Sequence, residues 1–103
     1  MNASSNNHSP LFPLGSCYIT PGIQALLEEH QCSLSVNTLI ARHHSGDWGD
    51  LCKEDKKEND FALKNDLRIF SSYLITLNDE SIKIWIITEA DRSSTTVLLP
   101  SEY

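Results

Sequence analysis

The chain has few of the residues that build disulfide-bonded or metal-bound small domains. Its 103 residues include only three cysteines, Cys17, Cys32 and Cys52. An odd number at wide spacing does not form a disulfide framework, and no Cys-x-x-Cys pair is present for a structural zinc site. We therefore expect all three to be reduced thiols that behave mostly as small buried hydrophobic residues.

Basic residues are also scarce. The chain has 8 Lys and Arg against 14 Asp and Glu, which gives a net charge of −6 at pH 7. Nucleic-acid-binding proteins need a basic surface to neutralise phosphates, so this composition argues against simple nucleic-acid binding. An acidic surface either favours a basic protein partner or only keeps the protein in solution.

Long apolar segments are absent. No apolar run approaches the ~20 residues that cross a bilayer, and residues 1–9 lack the basic-then-apolar pattern of a signal peptide. The sequence therefore predicts a cytoplasmic protein that does not contact a membrane. The length suits one domain, which we place at residues 17–103 after a flexible arm at residues 1–16 rich in Asn, Ser and Pro.

Apolar spacing and capping residues predict two or three helices. The first begins near Thr20, a good N-cap that is followed by proline. The second covers residues 35–44, where apolar residues recur every three or four positions. A third, mostly charged helix has Asp47 or Asp50 as its N-cap and ends near residue 65.

From residue 67 onward the pattern becomes that of strands. Residues 67–77, 81–88 and 94–99 are rich in β-branched and aromatic residues and are joined by short turns. We predict an α+β domain in which the helices pack on one face of a three-stranded antiparallel β-meander. The third strand would be an exposed edge open to pairing, which leaves the oligomeric state undecided.

One polar cluster contains only residue types that bind metals: His43, His44, Asp47, Asp50 and Cys52. Adjacent histidines on a helix point about 100° apart, and the His-x-x-x-His spacing is absent. Capping of the third helix by the two aspartates is the simpler interpretation. We therefore predict neither a metal ion nor a cofactor.

The turn around Trp48 has two interpretations. The indole either fills the junction between helices and sheet, which we favour, or is an exposed anchor for a partner. In the second case the partner-binding surface would combine two charged turns, with Trp48, Asp47, Asp50, Glu89, Asp91 and Arg92 as its residues.

Arg92 follows a strand and stands among hydroxyl residues. It is either part of a hairpin turn with a local ion pair, or an anion ligand assisted by Thr88, Ser93, Ser94, Thr95 and Thr96. His43 is likewise either a hydrogen-bonded core histidine or a base. With Arg92 and Thr95 in one cleft, His43 would have the groups for metal-independent RNA cleavage.

The stretch 21–103 resembles a family of short proteins encoded on bacterial plasmids and other mobile elements. The residues that carry the resemblance are Ala41-Arg42-His43, Ser45-Gly46-Asp47-Trp48-Gly49-Asp50, Asn59, Trp85-Ile86-Ile87-Thr88-Glu89-Ala90-Asp91-Arg92-Ser93, Thr95-Thr96, Leu98-Leu99-Pro100 and Glu102-Tyr103. Family members are described as plasmid-related proteins, and some as type I restriction subunits, although this chain has no room for a methyltransferase domain. The resemblance implies a bacterial, intracellular, mobile-element setting.

Three hypotheses follow. The first, which we prefer, is a small acidic interaction protein that inhibits or modulates a nuclease or a defence complex. The second is a toxin-like, metal-independent ribonuclease that uses His43, Arg92 and either Thr95 or Thr96. The third is a small-ligand sensor in which Arg92 holds an anion. No recognised catalytic signature is present, so enzyme activity is not the favoured prediction.

Overall fold

The computed structural model describes residues 10–30 and 34–103 and confirms an α+β domain with three helices. The elements in chain order are β1 (Ser16–Ile19), α1 (Pro21–Glu29), α2 (Val36–His44), α3 (Lys53–Asn65), β2 (Ile69–Leu77), β3 (Glu80–Thr88), β4 (Ser94–Leu98) and a 3₁₀ turn (Pro100–Glu102). Predictions for residues 1–9 and for Cys32 lie outside the described residues. Within the described ranges, no helix is long and apolar enough to cross a membrane.

The sheet has four strands rather than the three predicted. Strands β2, β3 and β4 form the expected antiparallel meander, but β1 adds parallel to β4, so the order is β1-β4-β3-β2. This extra strand lies in and beside the segment that we expected to be a flexible arm. Gly15 makes it possible: its backbone has φ +67° and passes so close to the carbonyl of Ser93 that a side chain would collide there. Strand β4 is therefore an interior strand.

Local capping rules predict two of the three helix starts. Thr20 and Ser35 are the N-caps of α1 and α2, and their side-chain oxygens accept a helix N–H at 3.4 and 3.2 Å. The prediction for α3 was wrong, because its N-cap is Cys52, which makes no side-chain cap bond. Asp47 and Asp50 are used elsewhere, as described below.

All three helices lie on one side of the sheet, where alternate strand residues form the main core. α1 and α2 contribute Ile23 and Leu39, and these pack with buried residues of β2, β3 and β4, namely Tyr73, Leu77, Ile84, Ile86 and Val97. A smaller cluster, formed by Phe12, Trp48, Ala62 and Ile69, lies between α3 and the N-terminal segment. Burial of Trp48, which is 6% exposed, confirms that it fills the junction and is not an exposed anchor.

The free edge of β2 is covered by the turn before α3. The amide of Ser72 donates to the carbonyl of Trp48 at 3.2 Å, and the amide of Asp50 donates back to Ser72 at 2.6 Å. Two residues further along β2, the amide of Leu74 donates to the carboxylate of Asp50 at 2.7 Å. Gly49 has φ +78°, and a β-carbon there would collide with the carbonyl of Ser72, so only glycine allows this approach.

Asn59 of α3 covers the next position on the same edge. Its side-chain oxygen accepts from the amide of Phe70 at 3.0 Å, and its side-chain nitrogen donates to the carbonyl of Phe70 at 2.6 Å. The amide group thus replaces a neighbouring strand at that residue. Because Asn59 is only 4% exposed, water cannot readily replace its side-chain amide.

Two of the three cysteines differ from the expectation. Cys17 and Cys52 are both exposed free thiols rather than buried hydrophobic residues. Cys17 is exposed because the helix layer does not extend over β1, whose four residues are all exposed. Cys52 lies at the solvent-facing start of α3.

We predict that Asn59→Ala destabilises the domain by about 2–4 kcal/mol, because both backbone groups of Phe70 lose their partner. Asn65→Ala is the matched control: this exposed asparagine on the same helix donates only to the carbonyl of Phe61. The control should change the free energy of unfolding by about 0.5 kcal/mol or less. Urea denaturation of both variants gives the comparison, and equal effects would contradict the edge-covering role.

Candidate functional site

His43 lies at the centre of a buried chain of polar side chains. It comes from the last turn of α2 and is completely buried. Its Nδ1 is 2.6 Å from the hydroxyl of Ser71, and its Nε2 is 2.9 Å from that of Thr88. Thr88 is 2.7 Å from the hydroxyl of Thr95, which donates at 2.7 Å to the backbone carbonyl of Leu14. The chain therefore joins α2 to β2, β3, β4 and the segment before β1.

The carbonyl at one end fixes the direction of the hydrogen bonds from Thr95 back to Nε2 of His43. A carbonyl can only accept, so Thr95 must donate to Leu14 and accept from Thr88. Thr88 must then accept from the Nε2–H of His43, and Nδ1 accepts from Ser71. Because burial keeps the ring uncharged, Nδ1 carries no proton and the imidazole is the neutral Nε2–H tautomer with both nitrogens satisfied. This is the core-histidine interpretation of the two that the sequence left open.

Burial keeps His43 uncharged. Desolvation lowers the pKa of this imidazole from 6.5 to about 3, and the nearby His44 adds a smaller lowering. The ring is walled by the aromatic rings of Phe12 and Trp48, whose centroids lie 5.3 and 6.0 Å away. A base this deeply buried cannot reach a substrate in solvent, and its low pKa makes it a poor proton acceptor.

The guanidinium of Arg92 is occupied by backbone carbonyls. One terminal nitrogen donates to Leu67, Glu89 and Ala90 at 2.7, 3.1 and 3.0 Å, and the other donates to Ala62 near the end of α3 at 3.1 Å. The backbone of Arg92 has φ +61°, as a tight turn between β3 and β4 requires. Arg92 therefore ties the end of α3 to that turn, and the predicted anion site of Arg92 with the nearby hydroxyls is not formed.

The hydroxyl residues around Arg92 do not form one group. Thr88 and Thr95 belong to the buried chain, whereas Thr96 lies on the opposite face of the sheet, in register with Ile87. His43 and Thr95 are thus brought together through Thr88, and neither lines a cleft with Arg92.

The charged residues of the two turns make local bonds. Asp47 accepts from Arg42 at 2.7 Å and from the amide of Gly49 at 3.2 Å. These bonds lower the pKa of the Asp47 carboxyl, the bond from Arg42 having the largest effect. In the other turn, Asp91 accepts from the amide of Ser93 at 3.0 Å. Both carboxylates are exposed, but each stabilises its own turn.

A pocket on the other side of the sheet was missed by the sequence predictions. It has a volume of about 240 Å³ and lies on the sheet face opposite helices α1, α2 and α3. Arg68, Phe70, Trp85, Ile87 and Tyr103 line this pocket, which we call the open-face pocket. The signal was the strand 81–88, which has apolar residues on both faces, a pattern typical of a strand that is covered on both sides.

Aromatic edges and one cation give the open-face pocket its shape. The Trp85 ring meets the edges of Phe70 and Tyr103, with centroids 4.9 and 5.9 Å apart. Arg68 donates to the hydroxyl of Tyr103 at 2.9 Å and pairs with Glu89 at 3.2 Å. Glu89, a predicted partner-binding residue, therefore lies beside the pocket and orients its cation.

Known proteins give no guide to this pocket. Comparisons with protein-family models, with curated proteins and with solved structures found no match to this chain. Among the residues that the structure describes, no three His, Cys, Asp or Glu side chains are grouped so that they could hold a metal ion. The open-face pocket is therefore interpreted from its own geometry.

We predict that acid destabilises the domain through His43. The pKa of His43 in the folded state, about 3, lies below its ordinary value of 6.5, so the unfolded chain binds the proton more tightly. Stability is complete above pH 6.5 and falls by about 1.4 kcal/mol per pH unit towards pH 3. Ring ¹⁵N–¹H NMR should show a neutral Nε2–H imidazole at pH 5. A ring that titrates near pH 6.5 in the folded protein would contradict the buried chain.

Proposed function

We propose that this chain is a protein-binding domain whose open-face pocket accepts an apolar side chain of a partner protein. The observation that carries the proposal is the grouping of Trp85, Tyr103 and Arg68 around one depression. Trp, Tyr and Arg are the residue types most enriched at the energetic centres of protein interfaces. They stand on a sheet face that the protein's own helices leave bare.

The size of the pocket favours a protein side chain over a free small molecule. Small-molecule sites occupy roughly 300–1,000 Å³ and enclose most of the ligand. The open-face pocket is smaller, at about 240 Å³, and Tyr103 on its rim is 73% exposed. A shallow apolar depression of this kind suits one large side chain that is presented by a folded surface.

The surroundings extend the contact surface beyond the pocket. Leu74 and Tyr18 lie on the same face of the sheet and are 55% and 57% exposed. Leu74 is on β2, the strand of Phe70, and Tyr18 is on β1 at the opposite edge, so exposed apolar side chains stand on both sides of the pocket.

The net charge of −6 and the resemblance to plasmid-encoded proteins suggest which partners to test. An acidic protein is steered towards basic surfaces, and enzymes that act on nucleic acids carry such surfaces. We propose a nuclease or a defence complex of the bacterial host as the partner class. Binding by this small protein would inhibit or modulate that partner.

RNA cleavage is less favoured. The ribonuclease hypothesis needs an accessible base and a cation free to meet the phosphate. His43 is fully buried, and the donors of Arg92 face backbone carbonyls. Exposed aromatic rings on a sheet can also stack on RNA bases, but here the nearest cation, Arg68, is paired with Glu89 and the protein is acidic.

We predict that Trp85→Ala and Tyr103→Ala each strongly reduce capture of the partner, whereas Phe61→Ala does not. Phe61 is the matched control, since it is 55% exposed but lies on α3, away from the open face. Tagged variants are incubated with nuclease-treated bacterial lysate, and bound proteins are quantified by mass spectrometry. Removal of a central aromatic residue costs about 2 kcal/mol or more, which is roughly a 30-fold loss of affinity.

The same experiment separates the open face from the acidic surface of α3. A variant in which Glu54, Asp55 and Glu58 are replaced by Gln, Asn and Gln tests whether those exposed carboxylates are the contact. A partner retained by the pocket variants but lost from this variant would overturn the pocket as the binding site. Recovery of RNA without a stoichiometric protein would overturn the protein-binding function itself.

A further inference from the structure

The two edge strands of the sheet differ in whether their outward backbone groups are hydrogen-bonded. On the β2 edge, hydrogen bonds from Asn59 and from the segment Trp48–Asp50 satisfy both backbone groups of Phe70 and Ser72 and the amide of Leu74. Along residues 70–74, an edge occupied in this way cannot accept another strand.

Strand β1, at the other edge, presents its backbone to solvent. The amides of Ser16 and Thr20 donate to β4, at 3.0 Å to Ser93 and 3.1 Å to Val97. Backbone groups alternate along a strand, so those of Cys17 and Ile19 point away from β4. Within the described part of the chain, no hydrogen bond reaches these outward groups, and all four residues of β1 are exposed.

We infer that β1 pairs with β1 of a second copy of this chain, in antiparallel orientation, about a twofold axis at Tyr18. Cys17 of each copy then faces Ile19 of the other, and the two pairs exchange four backbone hydrogen bonds. The two Tyr18 side chains meet at the axis on the open face. The sheets of the two copies join into one sheet of eight strands.

A second copy fits this edge for two reasons. One open edge and one covered edge allow a closed dimer and prevent the growth of a fibre, and isologous pairing is the commonest way in which chains associate. Strand β1 also has no charged residue, although the net charge of the chain is −6, so no like charges face each other across the axis. The contact is short, and we expect the dimer to form at roughly 10–100 µM protein.

The pairing would place two open-face pockets on one continuous surface. Tyr18 is in register with Thr96, which is in register with Ile87 and through it with Phe70. The two copies of Phe70, on β2, would be seven strand spacings apart, roughly 34 Å at about 4.8 Å each, and the two copies of Ile87, on β3, five spacings or roughly 24 Å. This consequence rests on the proposed function, because it would let one dimer bind a partner at two points. The dimer itself does not rest on it.

A disulfide experiment tests the twofold axis. In a chain whose three native cysteines are replaced by serine, Tyr18→Cys places two thiols at the axis, with α-carbons about 4.5 Å apart. Mild oxidation should link most of the protein as a dimer. Leu74→Cys is the matched control: it is similarly exposed, at 55% against 57%, but lies on β2 and should link only through random collisions. Equal linking of the two variants would overturn the inference.

Sedimentation equilibrium of the unmodified chain gives a second, independent measurement. We expect a monomer–dimer equilibrium that is weakened at least tenfold by Tyr18→Lys and unchanged by Leu74→Lys, a substitution that alters the net charge equally. A monomer at about 1 mM protein, or assemblies larger than a dimer, would overturn the inference. Tyr103→Ala should leave the dimer intact, so failure of the proposed partner binding and failure of the dimer are distinguishable.

Discussion

The structure depends on one buried line of hydrogen bonds, from Ser71 through His43, Thr88 and Thr95 to the carbonyl of Leu14. In a buried, low-dielectric site each of these polar groups would be costly if left unpaired. Every member has a partner, and the final carbonyl fixes the direction of the bonds from Thr95 back to His43. The line connects one helix, three strands and the segment that leads into β1. The segment that leads into β1 is therefore held by the same line of hydrogen bonds that contains the buried His43.

The polar residues that attract attention in the sequence share one structural task. Asp50 and Asn59 satisfy amides of an edge strand, and Arg92 donates to the carbonyl of Ala62 near the end of a helix and to carbonyls of the neighbouring turns. Each lies where a regular element stops and leaves backbone groups without partners. These side chains differ chemically because some of the unpaired backbone groups are donors and others are acceptors. A cluster of His, Asp, Arg and hydroxyl residues at the rim of a core can therefore resemble a catalytic site while its members serve the backbone.

Local rules predicted much of this fold from the sequence. Thr20 and Ser35 gave the starts of two helices, and the two-residue turn between β2 and β3 has φ +50° and +66° at Asn78 and Asp79, as short hairpins require. β1 could not be predicted, because it has four residues and its place depends on Gly15 meeting a backbone 78 residues further along the chain. The N-cap of α3 was misassigned because the carboxylate of Asp50 is used by β2, which no local pattern reveals.

The candidate site was hardest to predict for a physical reason. A pocket on a sheet face is assembled from residues that are far apart in sequence, here Phe70, Trp85 and Tyr103, and each alone is an ordinary strand or terminal residue. The only local sign was that β3 has apolar residues on both faces, although the three helices cover only one face of the sheet. Ile87, at the base of the pocket, is 6% exposed, whereas Tyr103, on its rim, is 73% exposed. The pocket is therefore apolar at its base and open at its rim. Such a surface loses water readily when a partner's side chain enters, so binding can be favourable without any of the polar motifs taking part.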